Sequence, residues 1–242
     1  DEERLIELQA MLDEPSIKAI LFGRGGYGMG RIIDKLNFKK FLKNPKWLIG
    51  FSDITILHTH IFNNYAIATL HAPMAGAFNE QDTEFVLSLK NALLNKKTKY
   101  NSAPYSLNKI GKATGKLVGG NLALLAHVVG TKSDFTTKNC ILFIEDTGEY
   151  LYSIDRMMHQ LKRSAKLKNL AGLILGGFTD MKDTERPFGK TIEELLLDVV
   201  QEYNYPVCFH FPVSHALHNY ALKIGATYQL NVSKEKVALK EQ

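Results

Sequence analysis

Four short polar segments carry the residue types that could do acyl-transfer chemistry or bind an anion, and each directly follows an apolar run. They are residues 23–28, 50–55, 144–149 and 211–218. In open α/β sheets, ligands bind at the carboxyl ends of the strands, so polar residues at these positions carry more weight than polar residues on a helix face. In chain order, the segments supply a glycine-rich loop, a serine, a group of carboxylates and a histidine.

The serine is Ser52, in the sequence Gly-Phe-Ser-Asp-Ile-Thr over residues 50–55. A serine at a sharp turn between a strand and a helix presents its hydroxyl near the helix N-terminus, where the helix dipole and free N–H groups favour an oxyanion. This pattern resembles a nucleophile elbow, although Ile54 stands where the usual second glycine would be. Taken alone, Ser52 is better explained as the N-cap of the following helix.

The carboxylate and the histidine each have competitors. Glu145 ends an apolar run, so the fold could hold its carboxylate away from water and use it to orient an imidazole. Asp146 and Glu149 compete for that role, and a solvated acidic loop is the plain alternative. His215 lies on a loop after another apolar run, with His218 as a rival. The order serine, acid, histidine is that of α/β-hydrolase triads, but with eight histidines in the chain the order alone is weak evidence.

The glycine-rich segment, residues 23–28, can bring its backbone close to a ligand and present N–H groups to an anion. It lacks the ending of a phosphate loop and the glycine spacing of a dinucleotide-binding loop, so nucleotide binding is a minor alternative and a plain tight turn a stronger one. A zinc site at His58, His60 and His71 fails on spacing, because positions i and i+2 of a helix point to different sides. We therefore expect no metal and no other cofactor.

Alternating helices and strands must position these segments. Strands separated by short helices favour a parallel sheet with right-handed crossovers. Three strands make a thin sheet for a doubly wound domain, which predicts that the first strands of that domain are missing from this chain. The elements predicted in the first half are a helix over residues 2–13, strands over 17–22, 47–51 and 66–70, and helices after the glycine segment and after Ser52.

The polar, proline-bearing residues 95–104 indicate a junction between two domains. We predict an N-terminal domain over residues 1–94, a linker over 95–112 and a C-terminal domain over 113–242. Beyond the junction, the predicted strands are residues 116–118, 140–144, 171–175 and 207–211, and the predicted helices are residues 121–129, 154–161 and 191–202.

Composition excludes several classes of protein. With 242 residues, 45% of them hydrophobic and 23% charged, the chain can bury a sizeable core. No apolar run approaches the roughly 20 residues that cross a bilayer, so we expect no membrane insertion. The net charge of +5 comes from scattered lysines without an Arg-rich helix, which argues against nucleic-acid binding. Cys140 and Cys208 could form one bridge at most, and an unpaired buried thiol at Cys140 favours a reducing compartment, the cytoplasm.

Six ordered segments, running almost from end to end, are similar to the LD-carboxypeptidase family of serine peptidases, which includes the microcin C immunity peptidases. The segments are Gly23-Arg24-Gly25-Gly26-Tyr27-Gly28, Asn44-Pro45-Lys46 with Gly50-Phe51-Ser52-Asp53-Ile54-Thr55, Gly119-Gly120-Asn121-Leu122, Phe143-Ile144-Glu145-Asp146 through Glu149, Tyr152-Ser153-Ile154-Asp155-Arg156-Met157, and residues 212–219.

The resemblance implies an α/β fold with a Rossmann-like N-terminal domain, here without its first strands, joined by a linker to a C-terminal α/β domain. It implies a homodimer and no metal. Ser214 stands before the histidine, where the family commonly has glycine. The roles it implies are Ser52 as nucleophile, Glu145 as the acid, His215 as general base, and an oxyanion hole from backbone N–H groups of Gly25 or Gly26 together with Asp53.

The implied substrate is a peptide with an L-residue joined to a C-terminal D-amino acid, usually the D-alanine of a murein tetrapeptide. Its terminal carboxylate requires a cation, and Arg156 beside the acidic segment is a candidate, with a structural ion pair as the alternative. Three other hypotheses remain: a microcin C-type peptidyl-nucleotide hydrolase, a catalytically silent truncated relative, and a nucleotide-binding α/β protein that uses the glycine loop.

Overall fold

The computed structural model describes residues 1–78 and 83–242 as an α/β structure with two sheets. The helices are α1 Glu2–Asp13, α2 Met29–Ile32, α3 Lys39–Lys43, α4 Thr55–Tyr65, α5 Thr83–Leu93, α6 Leu122–Val128, α7 Leu151–Arg163 and α8 Ile192–Val200. The strands are β1 Ala19–Leu21, β2 Trp47–Gly50, β3 Thr69–His71, β4 Lys99–Ser102, β5 Gly111–Asn121, β6 Ile141–Thr147, β7 Gly172–Thr179, β8 Val207–Cys208, β9 Leu222–Ile224, β10 Thr227–Val232 and β11 Val237–Glu241.

The first sheet has the order β1-β2-β3-β9. Strands β1, β2 and β3 are parallel, which confirms the arrangement predicted for the first half of the chain. The third strand is shorter than predicted, because Ala66, with φ 55°, ends α4 in the left-handed conformation and the strand starts only at Thr69. Strand β9, which the sequence analysis missed, runs antiparallel to β3 and comes from the C-terminal part of the chain.

The second sheet has the order β4-β11-β10-β5-β6-β7-β8. Strands β5 to β8 are parallel and include all the strands predicted beyond the junction. Strands β4, β10 and β11 are antiparallel and were not predicted. The segment predicted as a linker therefore contributes β4 to the second sheet, while the C-terminal part contributes β9 to the first. The division into domains at residues 95–112 stays a prediction.

The two sheets are joined by a shared core and by a buried ion pair. One hydrophobic cluster extends from Leu8 of α1 to Val199 of α8. Lys223 of β9 pairs with Glu241 of β11 at 2.8 Å, and both side chains are buried. Thr98 donates to the other oxygen of Glu241 from its main-chain N–H and from its hydroxyl. This network links β9 of the first sheet to β11 of the second.

Among the described helices, none has the length and the apolar composition needed to span a bilayer. Cys140 and Cys208 are both buried and unpaired.

Candidate active site

Ser52 follows β2 and begins a short 3₁₀ turn, Ser52–Ile54, that leads into α4. Its φ of 62° is in the left-handed region that side-chain-bearing residues rarely adopt, the kind of backbone strain that concentrates at functional sites. Gly50 permits this sharp turn, because a Cβ there would lie 2.9 Å from Ile54 Cγ1. The alternative that Ser52 is a helix N-cap is wrong: Phe51 and Ile54 occupy the N-cap positions of the turn and of α4.

The side chains of Ser52, His215 and Glu145 form a continuous hydrogen-bonded chain. Nδ1 of His215 lies 2.6 Å from Oε2 of Glu145, and Nε2 of His215 lies 3.0 Å from the Ser52 hydroxyl. Because a carboxylate can only accept, Nδ1 carries the proton and Nε2 is left to accept from the serine. Glu145 is fully buried at the carboxyl end of β6, as its position after an apolar run predicts.

Two opposing effects act on the His215 imidazole. Burial disfavours the charged ring, but the hydrogen bond and the negative charge of Glu145 outweigh it, and Asp146 adds to them. The pKa of His215 is therefore raised above its ordinary value. A ring whose protonated form is stabilised in this way is a stronger proton acceptor for the Ser52 hydroxyl.

The loop that carries His215 is held at both ends. At its start it packs against a Gly-Gly pair of β7: a Cβ on Gly177 would lie 2.5 Å from the Cβ of Ser214, so only glycine admits the loop there. At its end, Oδ1 of Asn219 lies 3.2 Å from Nε2 of His71 in β3, and both residues are fully buried. The loop therefore spans the two sheets and brings His215 to the end of β2.

The residues expected to form an oxyanion hole lie around Ser52. A Cβ on Gly25 would lie 2.7 Å from the Cβ of Ser52, so the glycine loop passes directly against the turn at Ser52. Gly26 has φ +112°, which also favours glycine. The carboxylate of Asp53 accepts a hydrogen bond from the main-chain N–H of Met29, the first residue of α2. The structure brings these residues together, and their role as donors stays a prediction.

The competitors of Glu145 and His215 have other partners. Asp146 accepts hydrogen bonds from three donors at the start of α6 and the end of β6, and burial raises its pKa to about 6. Glu149 is half-buried, and its main-chain carbonyl accepts a hydrogen bond from the main-chain N–H of Lys182. His218 stacks on Phe85 with ring centroids 5.1 Å apart.

Arg156 lies on the exposed face of α7, with its guanidinium 5.3 Å from the ring centre of Tyr152. None of the contacts found among the described residues joins Arg156 to an acidic side chain or to the Ser52–His215–Glu145 chain. Its role in substrate binding stays a prediction.

The three histidines considered for zinc each bond to a different part of the structure. Burial lowers the pKa of His58 to about 4 and that of His71 to about 3. Within the described residues, no group of three or more His, Cys, Asp or Glu side chains is placed to hold a metal ion. The hydrogen-bond partners of His58, His60 and His71 are, in order, the Gly50 carbonyl, Ser133 and Asn219.

The sequence analysis missed two supports of this site. His58, on the first turns of α4, lies with Nε2 2.8 Å from the carbonyl oxygen of Gly50 and so holds the end of β2 just before Ser52. The bond between His71 and Asn219 joins residues 148 positions apart, and no spacing signal could have found it.

Comparison with known proteins identifies the family to which the chain belongs. The profile of the LD-carboxypeptidase N-terminal domain matches residues 1–72, and that of the LD-carboxypeptidase C-terminal domain matches residues 114–230. The chain belongs to the LD-carboxypeptidase family. As a member of this family it is a serine peptidase of the carboxypeptidase type, and the resemblance inferred from the six sequence segments is confirmed.

Relatives of this LD-carboxypeptidase cover nearly all of its length. It is 36% identical to the probable murein peptide carboxypeptidase of Bacillus subtilis (strain 168), over 100% of this chain and 77% of the relative. The crystal structure of muramoyltetrapeptide carboxypeptidase from Oxalobacter formigenes superimposes with a TM-score of 0.89 at 26% identity, covering 99% of this chain and 82% of that one. The microcin C7 self-immunity protein MccF of Escherichia coli is 25% identical over 99% of this chain and 78% of its own.

Proposed function

We propose that this carboxypeptidase hydrolyses an L,D peptide bond and releases the C-terminal D-amino acid of a murein tetrapeptide, with Ser52 as nucleophile, His215 as general base and Glu145 as the acid that orients it. The observation that carries the proposal is the hydrogen-bonded chain from Glu145 through His215 to Ser52. Such a chain is the arrangement that activates a serine for acyl transfer.

The mechanism follows from the positions of the atoms. The Ser52 hydroxyl attacks the scissile carbonyl carbon while Nε2 of His215 takes its proton, and Glu145 stabilises the imidazolium that forms. The tetrahedral intermediate collapses when His215 gives that proton to the nitrogen of the leaving D-amino acid. Water then attacks the acyl-enzyme while Nε2 of His215 takes one of its protons. The second tetrahedral intermediate collapses by breaking the bond between the acyl carbon and Oγ of Ser52, His215 returns the proton to that oxygen, and the shortened peptide leaves with a free carboxyl group. No step requires a metal or an organic cofactor.

The negative oxygen of the tetrahedral intermediate needs fixed donors. We assign this role to main-chain N–H groups of Gly25 or Gly26 and of Asp53, because the glycine loop lies against Ser52 and Asp53 follows it in the 3₁₀ turn. The bond from Asp53 to α2 supports this assignment, since it ties the elbow to the helix that follows the glycine loop. Loss of one such donor typically lowers the rate by a factor on the order of 10²–10³.

The choice of a murein peptide as substrate draws on the named activities of the relatives in Bacillus subtilis and Oxalobacter formigenes. We further propose that Arg156 binds the terminal carboxylate of the substrate. Its guanidinium lies over the Tyr152 ring on the helix that directly follows the acidic segment. A cation on an aromatic ring keeps its N–H donors available at the ring's edge for a carboxylate.

We also propose that the enzyme acts in peptidoglycan recycling, in the cytoplasm and as a homodimer. The two buried, unpaired cysteines fit a reducing compartment. The oligomeric state is measured directly by light scattering after size-exclusion chromatography.

The proposal is tested by incubating the protein with a murein tetrapeptide that ends in D-alanine and measuring the products by mass spectrometry. We expect loss of one alanine, no cleavage of the same peptide ending in L-alanine, and no cleavage by Ser52→Ala. Cleavage of a peptidyl-nucleotide in place of the murein peptide would favour the microcin C-type activity of the relative MccF. A protein that neither cleaves nor reacts at Ser52 with a fluorophosphonate would be the catalytically silent relative.

A further inference from the structure

The proposed triad is divided between the two sheets, and a second connection links its two halves. Ser52 lies at the end of β2 in the first sheet, and Glu145 lies at the end of β6 in the second. The main-chain N–H of Asn121, at the end of β5, donates to the hydroxyl oxygen of Thr55 at 3.1 Å. Thr55 is fully buried and is the first residue of α4, three positions after Ser52.

The contact between β5 and α4 is too close for a side chain. Gly120 has φ +146°, and a Cβ at this position would lie 2.5 Å from the hydroxyl oxygen of Thr55. The backbone of the second sheet therefore approaches the helix of the nucleophile directly, without an intervening side chain. Such a contact transmits a small displacement of one element to the other.

The connection continues through Asn121 to the neighbour of Glu145. Nδ2 of Asn121 donates to Oδ1 of Asp146 at 2.7 Å, while its Oδ1 accepts the main-chain N–H of Leu124 and caps α6. Both ends of the amide are thus used, and its orientation is fixed. Asp146 also accepts main-chain N–H groups from Ala123 at 3.0 Å and from Thr147 at 2.8 Å.

We propose that Thr55 and Asp146, joined through Asn121, form a bracket that sets the distance between Ser52 and His215. Thr55 and Asp146 are then positioning residues for the reaction. The inference rests on the proposed roles of Ser52, His215 and Glu145. Two hydrogen-bonded connections therefore join the turn at Ser52 to the end of β6. One runs through His215 to Glu145, and the other runs from Thr55 through Asn121 to Asp146, the residue next to Glu145. A displacement of about 1 Å at a reacting atom can lower a rate on the order of 10²-fold.

The bracket is tested with Thr55→Val, which keeps the shape of the side chain and removes the hydroxyl that accepts from Asn121. The matched control is Thr59→Val, one turn further along α4. Thr59 is also buried, but among residues 1–78 and 83–242 its hydroxyl donates only to carbonyls of its own helix, at Thr55 and Ile56. Thr55→Ser keeps an oxygen at the same position and serves as the rescue.

The first measurement is the rate constant for reaction of Ser52 with a fluorophosphonate, which needs no peptide substrate. We expect Thr55→Val to lower it on the order of 10-fold to 10²-fold. Thr59→Val and Thr55→Ser are expected to stay close to the unsubstituted protein. Equal rate constants for Thr55→Val and Thr59→Val would overturn the bracket. Absence of any reaction at Ser52 in the unsubstituted protein would overturn both the proposed triad and the bracket.

The second measurement is D-alanine release. We expect Thr55→Val to lower kcat while KM stays within about twofold, because the bracket positions the nucleophile and does not contact the peptide. A raised KM with kcat unchanged would contradict a positioning role. Slower fluorophosphonate labelling in a protein that cleaves no murein peptide would support the bracket and refute the proposed substrate, so the two conclusions fail separately.

Discussion

Replacement of Gly25 by alanine tests how closely the glycine loop packs against Ser52, the proposed nucleophile. The φ of Gly25 is outside the left-handed region, so the backbone accepts alanine, and the effect comes from the added methyl group alone. That methyl would lie 2.7 Å from Cβ and 2.9 Å from Oγ of Ser52. Because ordinary contacts begin near 3.4 Å, Ser52 or the loop must move by about 0.7 Å.

A displacement of this size weakens the bond between Ser52 and His215, which is 3.0 Å long in the structure. We therefore expect Gly25→Ala to lower kcat/KM for D-alanine release by a factor on the order of 10². Gly23→Ala is the matched control in the same loop, because a Cβ there meets nothing within 4 Å and its φ is also compatible with alanine. The control is expected to retain the activity of the unsubstituted protein and the same or slightly higher stability.

Thermal unfolding measured for both variants separates a local effect from loss of the fold. We expect the two variants to unfold within a few degrees of each other while their activities differ. Full activity in Gly25→Ala would refute the close packing of the loop against Ser52. Equal loss in Gly23→Ala would show that the loop tolerates no side chain at all, and the distance argument would fail.

Three further outcomes are expected. Glu145→Gln should lower kcat on the order of 10³–10⁴-fold in the D-alanine assay, because His215 loses the carboxylate that fixes its tautomer; a loss below tenfold would contradict this role. Asp146→Asn should move the acid limb of the pH profile of kcat/KM to lower pH. His215 must be neutral to act as the base, and the negative charge of Asp146 raises the pKa of His215, so removal of that charge lowers this pKa. Lys223→Met leaves Glu241 buried without its cation and should cost about 3–5 kcal/mol in urea unfolding, partly recovered by adding Glu241→Gln.

Much of the local structure could be predicted from patterns along the chain. The stripe of leucines before Asp13 predicts α1, and the apolar run that ends at Glu145 predicts β6; both are confirmed. The helix that begins near Thr191 is confirmed with its capping box, formed by Thr191 and Glu194. Each of these signals depends on neighbours within about one or two turns or one strand, so hydrophobic periodicity and turn residues are sufficient.

The antiparallel strands could not be predicted from local patterns, because their pairing partners lie far away in the chain or are supplied by the fold. Strand β4, Lys99–Ser102, is polar and short, and it becomes a strand because it pairs with β11. Strand β9, Leu222–Ile224, has three residues and lies in the first sheet through its pairing with β3, about 150 residues away in the chain. Sheet formation by such segments depends on partners supplied by the fold, since strand propensity is largely a property of the surrounding sheet.

The candidate site shows the same division. The sequence by itself determined the residue types, their chain order, and their positions at the ends of strands, because strand, turn and helix signals are local. The tertiary structure alone decided that His215 meets Ser52 across 163 positions, that it bonds Glu145 across 70, and that Asp146 and His218 do not take their places. Bringing these side chains together requires two sheets, a shared core and a loop fixed at both ends, and these depend on contacts between distant residues that no local pattern encodes.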